Sequence, residues 1–246
     1  MCLIAFHWQP EAGSLQVWAN RDEFHARPAQ ATAFWPEAPG VLAGKDLLRG
    51  GSWMGVTRNG RFAALTNYRD PRAVPGERSR GELISGFLTS SDSAACYAER
   101  IQSDLDGYGG FSLLVCDGHA LWLAGTHEEA ASAVPAGWHG LSNARLDTPW
   151  PKLTRLVALA RQQADSDDAG RQLDILCDDE VPDEAMLPDT GVGQLWERLL
   201  APICIRSPAY GTRNSTWLRI TPDSVRWEER LHPGEERLSF SWSRQS

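Results

Sequence analysis

Cys2 is the residue whose type and position carry the most chemical consequence. Removal of Met1, the usual expectation before so small a residue, leaves a chain that begins on a cysteine. Such a residue holds a nucleophile and a base together. Its α-amino group, with an unperturbed pKa of about 7.7–8.0, takes the proton of its own thiol directly or through a water. The stretch Ala19-Asn20-Arg21-Asp22-Glu23-Phe24 supplies partners. Arg21 favours the thiolate, and Asp22 orients the α-ammonium by a charge-assisted bond. Asn67 and Asn143, at the ends of two expected strands, are positioned to donate to a developing oxyanion, and Arg213 adds positive potential. Each residue also has a plainer role: a packed thiol, a surface ion pair, turn asparagines, a strand-edge charge. Their joint meaning depends on Cys2 being terminal.

The elements that must position these residues follow from the pattern. Leu3-Ile4-Ala5-Phe6 and Leu15-Gln16-Val17-Trp18-Ala19 are β-prone runs separated by Gln9-Pro10-Glu11-Ala12-Gly13-Ser14. A break of that composition predicts a hairpin that returns the chain beside its start, with Cys2 close to Asn20, Arg21 and Asp22. His25 to Pro39 reads as irregular, and Gly40 to Gly44 as a short strand. Asn59-Gly60 joins Trp53–Thr57 to Phe62–Asn67 as a second hairpin, with Tyr68 opening a loop. Ser79 and Glu82 have capping-box spacing before a helix bearing Leu83, Ile84, Phe87 and Leu88, and Asp92 is expected to cap the next helix. Strands resume at Phe111–Cys116, Ala120–Leu123 and Trp138–Asn143, and Pro151 opens a third helix. A short helix is expected near Leu195 to Leu200. The C-terminal part reads as strands at Ile203–Arg206, Tyr210–Ile220, Val225–Arg230 and Arg237–Trp242. Alternation within Thr212–Arg219 places Arg213 on the Trp217 face. No linker or repeat divides residues 1–246, so a single domain is expected. This order fits an αββα sandwich and an ordinary α+β domain equally well.

Composition removes several classes. The net charge of −8 and the lack of a basic run argue against nucleic-acid binding. No apolar run approaches the roughly 20 residues of a membrane span, and the start lacks a signal peptide's basic region, so a cytoplasmic protein is expected. The five cysteines show no CxxC and the six histidines no HExxH, so neither a disulfide framework nor a metal site is expected. Gly40 to Asp46 fails as a phosphate loop, with three residues between its glycines and Asp after Lys45. The eleven tryptophans are expected to fill cores, with a pocket for a flat or fatty ligand as the alternative.

Met1-Cys2-Leu3-Ile4-Ala5-Phe6, Ala19–Phe24, Gly50-Gly51-Ser52-Trp53-Met54-Gly55, Leu65-Thr66-Asn67-Tyr68-Arg69, Ser79-Arg80-Gly81, Leu141-Ser142-Asn143 with Asp147–Lys152, and Gly211–Thr216 together resemble the NRDE family, also called the transport and Golgi organisation protein 2 family. Arg49 and Asn214 stand where that pattern has smaller residues. The resemblance implies the N-terminal-nucleophile (Ntn) hydrolase fold: α+β, a four-layer αββα sandwich of two antiparallel sheets flanked by helices. Within that superfamily the bile-salt hydrolase and penicillin V acylase group is similar in the order of Cys2, Arg21, Asp22, Asn67, Asn143 and Arg213. It implies a cysteine hydrolase of linear, non-peptide amide bonds in a small, partly apolar substrate, with no cofactor required. Asn20, Trp53 and Tyr68 are the expected ligand contacts. The family's links to haem trafficking and to lipid or acyl-CoA handling imply the alternative, a non-catalytic carrier with haem or lipid as bound ligand and His7 near Cys2.

Overall fold

The position of the chain's beginning is set by its first two strands. In the computed structural model, which describes residues 2–73, 76–234 and 236–244, β1 (Cys2–Gln9) runs into one 3-10 turn, Pro10–Ala12. Gly13 ends that turn at φ 57°, a left-handed conformation that glycine adopts without a Cβ clash. β2 (Ser14–Phe24) then returns antiparallel, so Gln9 lies opposite Ser14 and Cys2 opposite Arg21. The expected hairpin forms and brings Cys2 beside Arg21.

That hairpin sits within a six-stranded antiparallel sheet. β1 has β10 (Gly137–Leu141) on its other side. β2 pairs with β11 (Tyr210–Ile220), followed by β12 (Ser224–Leu231) and β13 (Arg237–Ser243). The second sheet is an antiparallel meander in chain order. It comprises β3 (Ala29–Trp35), β4 (Ala38–Asp46), β5 (Met54–Thr57), β6 (Phe62–Asn67), β7 (Phe111–Cys116), β8 (Leu121–Gly125) and β9 (Ser132–Ala133). The hairpin expected at Asn59-Gly60 joins β5 to β6, but only Gly60, at φ 85°, is left-handed: Gly60 N–H donates to the Thr57 carbonyl, so Arg58 and Asn59 form the turn and Gly60 follows it.

Alternating residues divide the apolar side chains among three interiors. Ile4, Phe6, Val17 and Ala19 meet Met54, Val56, Phe62 and Leu114 between the sheets. Leu3, Ala5, Trp18 and Trp217 point the other way, against Leu153, Leu156 and Ala160 of α3 (Pro151–Gln163) and Leu173 of α4 (Ala169–Asp174). Ala63, Leu65, Leu113 and Val115 pack under α1 (Gly81–Thr89) and α2 (Ala94–Gln102). Helix, sheet, sheet and helix thus stack as an αββα sandwich. A short α5 (Gln194–Leu199) lies at one end. Trp18, Trp217 and Trp227 are completely buried, which accounts for part of the tryptophan excess as core. No helix among the described residues is long and apolar enough to cross a membrane.

Several local expectations give way to tertiary contacts. α1 starts at Arg80 without a side-chain cap; the Ser79 hydroxyl donates to the Gly50 carbonyl, and Glu82 accepts from the Tyr108 hydroxyl. Ser93, not Asp92, caps α2 by accepting from Cys96 N–H, while Asp92 pairs with Arg100. The segment read as irregular contains β3, and Ile203–Arg206 is loop. Cys96 is exposed, and Cys177 is half-buried with its sulfur accepting from Arg230.

Candidate active site

Cys2 lies half-buried in a cleft of about 390 Å³ at the end of β1. Arg21 is its cross-strand partner and points toward the inter-sheet side, as Ile4 and Ala19 do. Its guanidinium carbon sits 3.9 Å from the centre of the Trp53 ring, a cation–π arrangement that fixes the side chain against the cleft wall. Asp22, one residue on, faces the helical layer, where its Oδ1 accepts from the Thr212 hydroxyl at 2.7 Å.

Electrostatics modify the expectation for the thiol. Burial pushes the Cys2 thiol above its ordinary pKa, and Asp22 and Glu23 add to the rise, while Arg21 works in the opposite direction. The resting sulfur therefore keeps its proton at neutral pH, and a base is needed to make it a nucleophile. Burial likewise raises Asp22; the largest opposing influence is the ammonium of Lys152, itself buried and lowered to about 8. Lys152 donates to the Leu200 carbonyl at 2.9 Å. Beside it lies a buried ion pair, Arg69 to Glu197 at 2.6 Å.

The two asparagines are joined. Asn67, at the end of β6, lines the cleft. Asn143 is buried behind it: its side-chain amide donates to the Asn67 carbonyl at 2.9 Å, and its own carbonyl accepts from Arg69 N–H at 2.8 Å. The loop carrying Asn143 is clamped by Asp147, which accepts from His139 Nδ1 at 2.7 Å and from Gly140 N–H at 2.8 Å. Asp147 adopts φ 58°, the left-handed region that Asp tolerates better than most residues.

Of the residues singled out in the sequence, Cys2, Arg21, Asp22, Asn67, Trp53 and Tyr68 line the cleft. Arg213 and Asn20 sit elsewhere. The pairing of β11 with β2 slips between Thr212 and Asn214, a bulge at Arg213. Thr212 consequently faces the helical layer with Asp22, whereas Asn214 faces inward and donates to Glu229. The simple alternation that put Arg213 on the Trp217 face is broken there. Arg213 Nη1 instead binds the carbonyls of Phe24, His25 and Arg27, fastening the turn after β2. Asn20 donates to the carbonyls of Leu176 and Ile203, tying β2 to the helical layer.

His7 lies five residues along β1 from Cys2, about 17 Å at roughly 3.3 Å per residue, and stacks on Trp138. The removal of Met1 concerns a residue outside those described. The sequence reading missed the arginines of the cleft: Arg27, Arg49, Arg78 and Arg80 join Arg21 in its lining. Their positions between Gly, Pro and Ser residues mark loops, but only the fold gathers the loops. Among the described residues no cluster of three or more His, Cys, Asp or Glu is arranged to hold a metal ion.

The architecture is shared with hydrolases. A conjugated bile acid hydrolase mutant from Clostridium perfringens superposes with a TM-score of 0.53 at 8% identity, covering 100% of this chain and 97% of that one. A second variant of that hydrolase gives 0.55, covering 97% and 92%. An N-acylethanolamine-hydrolyzing acid amidase ortholog from Caenorhabditis elegans gives 0.50 at 9% identity, covering 90% and 93%. These likenesses establish the Ntn-hydrolase sandwich as the fold. In sequence, the Transport and Golgi organization protein 2 homolog of Bos taurus is 36% identical over 265 residues, covering 96% of this chain and 95% of its own. That of Homo sapiens is 35% identical over 251 residues, covering 91% and 90%. The family pattern described as Transport and Golgi organisation 2 matches residues 1–232, and the chain belongs to that family.

Proposed function

We propose that this chain is a cysteine N-terminal-nucleophile hydrolase of linear, non-peptide amide bonds in a small, partly apolar substrate. The observation that carries the reading is the pairing of Cys2 with Arg21 on the wall of a cleft, in a sandwich shared with amide hydrolases. Once Met1 is removed, the α-amino group of Cys2 takes the thiol proton and the sulfur attacks the substrate carbonyl. The Asn67 side chain supports the oxyanion of the tetrahedral intermediate, and Asn143 holds Asn67 in place. Collapse breaks the C–N bond, the α-ammonium gives its proton to the leaving amine, and water then hydrolyses the Cys2 thioester. Burial of the thiol suits this scheme, because the base is needed in each cycle. No cofactor enters any step.

The test is the mass of the purified native protein before and after an activated acyl ester is added. The reading expects Met1 absent and one acyl group on Cys2. A retained Met1, or acylation elsewhere with Cys2 untouched, overturns it.

The carrier reading, in which the chain binds or traffics haem or an acyl lipid without cleaving it, takes its support from the aromatic side chains Trp53 and Tyr68 in the lining of the cleft. It expects a stoichiometric absorbance change on haem titration, or a co-purifying lipid, in a chain whose Cys2 resists the acyl ester.

A further inference from the structure

Arg21 is a nearly buried cation with no carboxylate in ion-pair reach among the described residues; Glu23 and Asp46 act on it only at longer range. It keeps 6% of its surface exposed, and among the described residues its guanidinium makes no hydrogen bond or ion pair, only the face contact with Trp53. A guanidinium stays protonated across the physiological range, so burial does not relieve the cost by neutralising it. Cys2 does not supply the missing charge at rest, because its thiol is held protonated.

A second such group faces the same space. Arg80, on the turn entering α1, spends one N–H on the Gly110 carbonyl at 2.9 Å and has no carboxylate in ion-pair reach among the described residues. The other cleft arginines are engaged. Arg27 is 2.6 Å from Asp46, Arg78 is 2.8 Å from Asp104, and Arg49 donates to the carbonyls of Gly76 and Glu77. Five arginines and three acids line this cleft, in a chain of net charge −8. All three acids are already engaged: Asp22 accepts from the Thr212 hydroxyl, Asp46 also accepts from Leu48 and Arg49 N–H, and Glu23 accepts from Phe24 N–H. The cleft is thus a locally positive site in an acidic protein, with two guanidiniums free to take an anion.

The geometry points to a ligand carrying an oxyanion group, a carboxylate or a phosphate, that lodges against Arg21 and Arg80 in the cleft holding Cys2. Guanidinium is suited to this, since its planar fork matches both groups and is weakly hydrated. Trp53, with Arg21 over its ring, and Tyr68, stacked on His127 at 3.4 Å, line the same cleft and give it an aromatic wall for the rest of the molecule. The inference rests on the hydrolase reading only for the substrate class it names, an acyl amide bearing an acidic substituent close to the scissile carbonyl.

The experiment measures binding without turnover. The Cys2→Ser chain, mature at its amino terminus, is titrated calorimetrically with N-hexanoylglycine, its neutral methyl ester, and hexyl phosphate. At least one of the two anions is expected to bind saturably, one per chain, about tenfold or more tighter than the ester. Arg80→Gln should remove most of that gap and Arg80→Lys restore part of it. The two anions separate a carboxylate site from a phosphate site. If the ester binds as tightly as both anions, or Arg80→Gln leaves anion binding unchanged, the inference is overturned. Should Arg80→Gln fail to fold, the acid–ester comparison on the chain with Arg80 intact decides alone. Anion binding in a chain that cleaves nothing defeats the hydrolase reading but not this one. Cleavage of neutral amides as efficient as that of acidic ones does the reverse.

Discussion

The Asn143 side-chain amide donates to the backbone carbonyl of Asn67 at 2.9 Å, so two residues 76 positions apart form one structural unit at the cleft. Only Asn67 lines the cavity; Asn143 acts through it. Asn67→Ala should lower acylation of Cys2 by about 10²–10³-fold, the usual effect of losing an oxyanion donor. Asn143→Ala should lower it too, and the double variant should be little worse than the worse single one, because both changes remove the same positioned amide. Acylation rates followed by mass spectrometry provide the comparison. Additive losses in the double variant mean the two residues act separately.

Burial of the Cys2 thiol gives a kinetic expectation. In a chain that retains Met1 the nitrogen of Cys2 is an amide and cannot serve as base, and burial holds the thiol pKa above the ordinary value. Cys2 should then react with iodoacetamide more slowly at pH 7 than the exposed Cys96, since the thiolate is the reacting form. Removal of Met1 should reverse that order. Peptide mapping of alkylated protein reads both rates. Fast alkylation of Cys2 while Met1 is still attached contradicts the assignment of the α-amino group as base.

Behind the cleft, Arg69 and Glu197 are buried with side-chain exposures of 4% and 5%, and Glu197 also accepts from Thr190 N–H at 2.7 Å. Removing one partner strands the other charge. Glu197→Ala should cost about 3–5 kcal/mol in denaturant unfolding, whereas Arg69→Met with Glu197→Leu together should cost much less. Equal losses in the single and double variants mean that packing, not the stranded charge, sets the effect.

The hairpin that sets Cys2 opposite Arg21 is legible in sequence because its causes are local: two apolar β-prone runs, Pro10 to break, Gly13 to turn. The bulge at Arg213 has no local cause. Every residue from Tyr210 to Ile220 is compatible with a regular strand, and alternation alone puts Thr212 and Asn214 on one face. Their partners demand opposite faces, because Thr212 donates to Asp22 on the helical side and Asn214 to Glu229 between the sheets. β3 escaped notice for a related reason. Pro28 and Pro36 flank it and read as loop, yet β3 is an edge strand, where a proline at either end removes no ladder bond that matters. The unpaired charges of Arg21 and Arg80 are further from the sequence still, since a missing partner appears only after every neighbour is placed.

The clamp on the Asn143 loop should respond to pH. The carboxylate of Asp147 accepts from His139 Nδ1 at 2.7 Å, and this bond raises the imidazole above its usual pKa against the lowering effect of burial. A group whose folded pKa is raised contributes stability in its protonated form. The contribution is complete below the unfolded value of about 6.5 and fades as pH rises through the higher folded value. Asp147 is half-exposed, so about 0.5–1 kcal/mol is at stake. His139→Gln should therefore lower the melting temperature at pH 5.5 by a few degrees and differ much less from the native chain at pH 8.5. Because Asp147 also fixes Gly140 N–H, the same variant should reduce Cys2 acylation at pH 8.5 by less than twofold. A stability gap that is constant with pH rules out the protonated imidazole as its source, and one that widens toward pH 8.5 requires the opposite linkage.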